Sequence, residues 1–306
     1  MNRLSRMSCL KRTWNRDKYL FMLALGGILY YIIFHYWPMY GVIIAFKDFS
    51  FTKGILGSPW VGLTNFRLFF SGFYFWRLLS NTLILSAYTI LCGFPLPIIF
   101  ALMLQEVSNT RFRRLVQNVS YLPHFISIVV VVGILRQLFA SNGVVNQLIA
   151  ACGGQVTDFI SSSRWFRTLY VGSEVWQHFA WNSILFTAAI SGINSELYEA
   201  CYVDGGGRWA RIWHITLPGI RPTIFIMITL TMGNLLNVGF EKIILMYSPA
   251  IYDVSDVIST YVYRRGLLNS QFSYGAAVGL FNSLVNIIIV LAINTVSKRV
   301  AEISLV

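Results

Sequence analysis

Six long apolar stretches, nearly free of charge, decide what this chain can fold into. They run over residues 19–46, 78–104, 120–139, 169–193, 222–246 and 274–296. Each is about 20 residues or longer, the length a helix needs to cross the hydrocarbon core of a bilayer. The charges that intrude, Arg136, Glu174, Glu241 and Lys242, are read as lying near segment ends. A soluble helix keeps a polar face, and these do not, so the pattern predicts an all-α membrane protein with six transmembrane helices. The first stretch is too long for the apolar region of a secretory signal, and no small-residue cleavage pattern follows it. It is expected to be retained as a helix that ends at Trp37-Pro38, with Tyr36 and Trp37 in the interfacial belt.

Charge sets the expected orientation. The chain has 24 Lys+Arg against 12 Asp+Glu, a net charge of +12. In a soluble chain that excess would suggest nucleic acid; in a membrane chain basic residues accumulate on the cytoplasmic side. With the N-terminus inside, fourteen basic residues fall in inner segments and eight in outer loops. Six of the fourteen (Arg3, Arg6, Lys11, Arg12, Arg16 and Lys18) lie in the first 18 residues. Both termini are therefore expected in the cytoplasm, and no nucleic-acid partner is needed. The expected organisation is a basic cytoplasmic tail (1–18), a first transmembrane helix with a long extracellular loop (19–76), a five-helix core (77–296) and a cytoplasmic C-terminal tail (297–306). Lipid contact is expected for the basic tail. Cys9, Cys92, Cys152 and Cys201 are scattered and form no C-x-x-C or His-Cys cluster, so neither a metal site nor an intrachain disulfide is expected.

The inner segment 194–221 does not have a loop's composition. Asn194-Ser195 can cap a helix whose first turn holds Glu196 and Glu199, near the positive end of the dipole. Leu197, Ala200 and Cys201 follow at helical spacing as an apolar face, and Gly205-Gly206-Gly207 stops the helix. A second short helix is expected with Trp209, Ile212, Trp213 and Thr216 on one side, ended by Leu217-Pro218, with Pro222 opening the next span. Two readings stand: an amphipathic pair on the headgroups, or a dock for a protein. The acidic first helix (Glu196, Glu199, Asp204) would be repelled by an anionic leaflet, which favours docking.

Glu199-Ala200-Cys201, Asp204-Gly205, Ile215 and Leu217-Pro218 resemble the EAA…G…I-LP loop of bacterial ABC importer permeases. The resemblance implies the type I importer permease fold, with this loop as the coupling helix that enters a cleft of a cytoplasmic ATPase. It assigns ATPase coupling to Glu196, Glu199, Ala200, Cys201, Asp204, Gly205, Ile215, Leu217 and Pro218. Cys201 stands where a second Ala is usual and Gly206 where Ala is common. The glycine is expected to loosen the helix end by up to roughly 1 kcal/mol. Blocks elsewhere, among them Pro38-Met39-Tyr40-Gly41, Ala45-Phe46-Lys47-Asp48-Phe49, Phe240-Glu241-Lys242-Ile243 and Thr260-Tyr261-Val262-Tyr263-Arg264, resemble the carbohydrate and polysaccharide-fragment permeases. Ala180-Trp181 replaces their usual Gly-Trp.

No G-x-x-x-x-G-K-[ST] occurs, so nucleotide is not cradled by that route. ATP and Mg are expected on a partner ATPase dimer, with no cofactor in this chain. The further partners implied are a second homologous permease, an extracellular solute-binding (lipo)protein and an oligosaccharide solute; the place implied is the bacterial cytoplasmic membrane. Sugar needs aromatic faces and neutral hydrogen-bonding groups. Candidates for the solute path are Trp176, Trp181 and Asn182, and the i, i+3, i+7 set Asn234, Asn237 and Glu241. Interhelical hydrogen bonding is the alternative role for the polar ones, and lipid or belt contact for the tryptophans. Arg164, Arg167, Arg264 and Arg265 on the outer side suggest a uronate-containing solute, with a structural role as the other reading. A stand-alone secondary transporter is the competing function, but it wants acidic residues mid-span. His35, His124, His178 and His214 fall in four separate segments, so no catalytic set or catalytic residue is expected.

Overall fold

The computed structural model describes the backbone of residues 3–236 and 238–301, and the side chains of residues 17–236 and 238–295. Asn237, one of the candidate path residues, lies outside the described residues, as do the side chains of the first 16 positions. The chain is helical almost throughout. Among the described residues the sole β feature is an isolated antiparallel bridge between Lys47 and Trp60.

The principal helices are α1 (Arg3–Tyr31), α2 (Phe75–Gly93), α3 (Pro95–Glu106), α4 (Thr110–Tyr121), α5 (Ile128–Phe139), α6 (Ser163–Ser191), α7 (Ser195–Val203), α8 (Leu217–Gly233), α9 (Phe240–Met246) and α10 (Phe272–Ala301). Among the described residues five segments are long and apolar enough to cross a membrane: Asp17–Phe46, Phe75–Glu106, Ile128–Ala151, Arg208–Gly233 and Phe272–Thr295. α6 is not among them. At 29 residues it is about 43 Å long and could span, but Arg164, Arg167, Glu174, Gln177, His178 and Asn182 make it less apolar than the others. It is the pillar of the molecule. It packs on α2, α3 and α8 and buries Phe166, Leu169, Tyr170, Ala180, Phe186 and Ile190.

Three expected spans are interrupted, each for a local reason. The 120–139 stretch breaks after α4 into a 3-10 turn, Leu122–Phe125, because Pro123 cannot continue the ladder. α5 then starts afresh, with the Ser127 hydroxyl accepting from Val130 N–H. The 222–246 stretch is not one helix. It stops at Gly233, turns, and resumes as α9. The 19–46 segment does not end at Trp37-Pro38. It passes through a π turn, Ile32–Tyr36, and runs on as a 3-10 helix, Tyr40–Phe46. A second π turn, Ile212–Thr216, precedes Leu217-Pro218. In both places the N–H before the proline bonds five residues back, Trp37 to Ile32 and Leu217 to Ile212. The wider turn carries the chain past a residue that has no N–H of its own. Arg208 to Gly233 is therefore continuously helical, and Leu217-Pro218 does not end a separate short helix.

The segment between the first span and α2 folds onto α10. Phe69 is buried against Phe75 and Phe281, Phe49 N–H donates to Ser273 Oγ at 2.8 Å, and Asn65 Nδ2 donates to Ala45 O at 2.9 Å. Among the described residues of α1, the apolar side chains from Tyr19 to Tyr31 are exposed.

Candidate functional sites: the 194–221 loop and a chain of cavities beside α6

The 194–221 loop is built as its sequence implies at its start and more tightly than expected at its end. Asn194 Oδ1 accepts from Glu196 N–H at 3.1 Å, capping α7. At the other end Gly205 is left-handed, with φ +75°. Gly206 N–H reaches back to Cys201 O at 2.7 Å and Gly205 N–H to Tyr202 O at 3.1 Å, the paired bonds of a Schellman cap. A Cβ on Gly206 would lie 2.3 Å from Cys201 Sγ and 2.8 Å from Cys201 O. Gly206 therefore closes the helix end rather than loosening it, and it is matched to the larger side chain at position 201.

The loop is pinned to the helices behind it. Tyr198 Oη and Thr216 Oγ1 are 3.1 Å apart, and Arg208 and Arg211 both lie 3.4 Å from Glu106 at the end of α3. What faces outward is mixed. Glu196, Glu199, Ala200, Asp204 and Gly205 are exposed, and so are Leu197, Tyr202, Val203, Trp209 and Trp213. The expected apolar face of Leu197 and Ala200 is thus turned away from the molecule, while Tyr198 and Cys201 are half-buried. Ile215 and Leu217 are half-buried and Pro218 is exposed.

The second site lies along α6, where three cavities share walls. The largest, about 600 Å³, lies between Tyr88 and Cys92 of α2 and the Arg164–Arg167–Val171–Val175 face of α6. A second, about 160 Å³, shares Val175 with it and reaches Glu174, His178, Asn182 and Thr231. A third, about 200 Å³, shares Thr89, Glu174 and Thr231 with the second and adds Ser86, Tyr170 and Asn234. The walls are mostly apolar, with a few hydrogen-bonding groups (Thr89, Asn182, Thr231, Asn234) and the charged Arg164, Arg167 and Glu174, the usual make-up of a ligand cavity. Thr89 Oγ1 is buried there without a partner.

Of the candidate path residues, Asn182 and Asn234 line these cavities. Glu241 does not, because the break at Gly233 destroys the spacing that would have placed it on the face of Asn234; it is exposed on α9. Trp181 stacks on His124, with ring centroids 4.3 Å apart and planes within 4°. Trp176 is 46% exposed on the outside of α6.

Glu174 was missed as a wall residue, and so was its partner. Lys242 is buried, and its ammonium lies 2.6 Å from Glu174 Oε2. The other carboxylate oxygen is 3.4 Å from His178 Nε2, and His178 Nδ1 is 3.0 Å from His124 Nδ1. With Nε2–H of His178 toward Glu174, its Nδ1 must accept from His124. The result is one polarised chain from the turn before α5, through α6, to α9. Sequence marked only its i, i+4 pair, Glu174 and His178, and the two intruding charges Glu174 and Lys242; His124 and Lys242, 118 residues apart, share no period with that pair. Of the outer arginines, Arg264 serves the fold. It makes a bidentate pair with buried Asp256, at 3.2 and 2.5 Å, over the ring of Tyr252. Arg265 lies over Tyr261. Among the described residues no group of three His, Cys, Asp or Glu could hold a metal ion.

The comparisons agree with this architecture. Residues 93–304 match the family described as binding-protein-dependent transport system inner membrane component. Protein LplB of Bacillus subtilis (strain 168) is 43% identical, over 97% of this chain and 92% of its own. The polygalacturonan/rhamnogalacturonan transport system permease protein YteP of the same organism is 41% identical, over 94% and 90%. A solved bacterial alginate ABC transporter, in complex with an alginate pentasaccharide-bound periplasmic protein, has a chain that superposes with a TM-score of 0.88 at 40% identity, covering 96% of this chain and 99% of that one. An all-helical fold, a helical loop of the EAA type and matches of this length have one meaning: the chain belongs to the binding-protein-dependent transport system inner membrane components, the membrane permeases of ABC importers.

Proposed function

We propose that this chain is one permease half of an ATP-driven importer for acidic oligosaccharides in the cytoplasmic membrane of a bacterium. The observation that carries the solute class is that two near-full-length relatives handle acidic polymers. One is named for polygalacturonan, and a solved transporter matching this chain imports the acidic polysaccharide alginate. In this reading the solute arrives on an extracellular binding protein and crosses between this chain and a second, homologous permease. The path runs past Asn182, Asn234 and the Glu174 wall, while Trp176, Trp181, Asn237 and Glu241 are left without an assigned contact to it.

ATP is bound and hydrolysed, in this reading, by a separate ATPase dimer. Glu196, Glu199, Ala200, Cys201, Asp204, Gly205, Ile215, Leu217 and Pro218 form the element that transmits its cycle. The exposure of Leu197, Tyr202, Val203 and Trp209 beside three acidic side chains supports docking over membrane contact. That pattern suits a protein cleft and not an anionic leaflet. Both termini then lie in the cytoplasm.

The test is uptake by the intact transporter in proteoliposomes. Labelled oligogalacturonate is expected to enter with ATP and its binding protein present, and a neutral oligosaccharide of equal length is expected not to compete. Competition by neutral sugars alone would overturn the solute class. Glu199→Ala and Asp204→Ala are expected to abolish solute-stimulated ATP hydrolysis with insertion unchanged. A gradient-driven flux through the isolated chain would instead favour a secondary transporter.

A further inference from the structure

The 600 Å³ cavity has a chemistry that the path deeper along α6 lacks. Arg164 and Arg167 stand on its wall, one helical turn apart. Among the described residues neither has a carboxylate within ion-pair distance. Arg208, Arg211 and Arg264, by contrast, are each paired.

Arg167 is also held in place. One of its terminal nitrogens donates to Asn81 Oδ1 at 3.0 Å. Asn81 is buried and fixed in turn, its Nδ2 donating to Asp253 O at 2.8 Å and Asp256 O at 3.1 Å. The guanidinium keeps a buried Nε–H with no acceptor. A buried donor without a partner is costly, and a planar guanidinium fork is matched to the two oxygens of a carboxylate. Asp253, whose backbone carbonyl holds Asn81, has its own carboxylate engaged by Ser163 Oγ at 2.8 Å.

We propose that this cavity is a carboxylate-binding vestibule, in which Arg167, oriented by Asn81, and Arg164 take the uronate carboxylate of the solute before it moves along α6 toward Glu174. The inference rests on the acidic-solute reading above and adds the residues that would enforce it. The order along the helix is selective. Arg167 is seven residues, about 10 Å, from Glu174. An anion is attracted at the first station and then meets a carboxylate already neutralised by Lys242. A neutral sugar gains nothing at the first station.

Cys92 lies on the opposite wall and is an exposed free thiol, so the cavity carries its own reporter. The experiment uses the intact transporter in neutral-lipid nanodiscs, with Cys9, Cys152 and Cys201 of this chain replaced by Ser and the partner chains made cysteine-free. Alkylation of Cys92 by a small water-soluble maleimide is followed with and without trigalacturonate. At least a threefold slowing is expected with trigalacturonate and none with its methyl ester, and Arg167→Gln should abolish the protection. Arg167→Lys, which keeps the charge and loses the fork, should restore only part of it. Three results would overturn the vestibule: no alkylation of Cys92 at all, equal protection by the ester, or protection by anionic lipid without sugar. Uptake of trigalacturonate without protection would remove the vestibule and leave the solute class standing. Protection without uptake would support the vestibule and count against the transport reading.

Discussion

At the scale of single residues, two departures from the family's loop pattern explain each other. Cys201 brings a sulfur to the space that a Cβ at position 206 would need, 2.3 Å away, and glycine at 206 leaves that space open. Gly206→Ala is therefore expected to destabilise the end of α7 by about 1–3 kcal/mol through overpacking. Cys201→Ala in the same chain should recover part of the loss, because the contact with Cys201 O at 2.8 Å remains. Non-additivity in a double-mutant cycle on thermal stability would show the coupling; strictly additive losses would refute it. The Glu174–Lys242 pair makes a second case. Lys242 is 1% exposed and the ammonium sits on one carboxylate. Removing one member of a fully buried pair costs about 3–5 kcal/mol, whereas replacing both with neutral groups is often tolerated; Glu174 is 26% exposed, which places this pair below that range. Glu174→Gln should lower the melting temperature of the purified chain clearly, and Glu174→Gln with Lys242→Met should melt near the parent. A double variant as unstable as the single one would mean that the pair does not act as a unit.

At the scale of elements, what was legible in the sequence is what depends on neighbours in sequence. The Asn194 cap, the glycine stop of α7 and the long helix α10 follow from local residue order. The interruption at Gly233 does not, because an open backbone in an apolar region survives only if distant groups satisfy it. Here Asn286 Oδ1 on α10 accepts from Leu236 N–H at 3.2 Å, and Ser86 Oγ on α2 donates to Leu235 O. Neither partner is marked in the sequence of the fifth stretch, so periodicity alone joined Asn234 to Glu241. The cavities were hidden for the same reason, since their walls come from α2, α6, the end of α8 at Thr231 and the turn after it. Asn286→Leu should leave the Leu236 N–H buried and unpaired, at a cost of about 1–3 kcal/mol. Hydrogen exchange is expected to quicken at residues 235–239 while α6 is unaffected. An unchanged exchange pattern there would show that the break is held by something else.

At the scale of the whole molecule, α1, the first part of the first span, stands apart from the body that the family match covers, whereas the end of that span at Ala45 is buried. The match begins at residue 93, and the described apolar residues of α1 are exposed, as with Leu20 at 65% and Leu23 at 79%. Among the described residues of α1 no side chain is buried, so its part in the chain's behaviour lies in how it meets the membrane. It carries the six basic residues of the N-terminal tail, and basic residues flanking a first span bias orientation. If that bias decides the topology, Cys152, an exposed thiol in the segment after α5, faces the outside of the cell. With Cys9, Cys92 and Cys201 replaced by Ser, a membrane-impermeant maleimide should label Cys152 in intact cells. Replacing Arg3, Arg6, Lys11, Arg12, Arg16 and Lys18 by Gln leaves eight basic residues in the remaining inner segments and eight in the outer loops, removing the asymmetry. Labelling from outside should then fall by half or more. Full labelling after that change would place the topological signal in the later loops, whereas no labelling of the parent chain would reverse the orientation altogether.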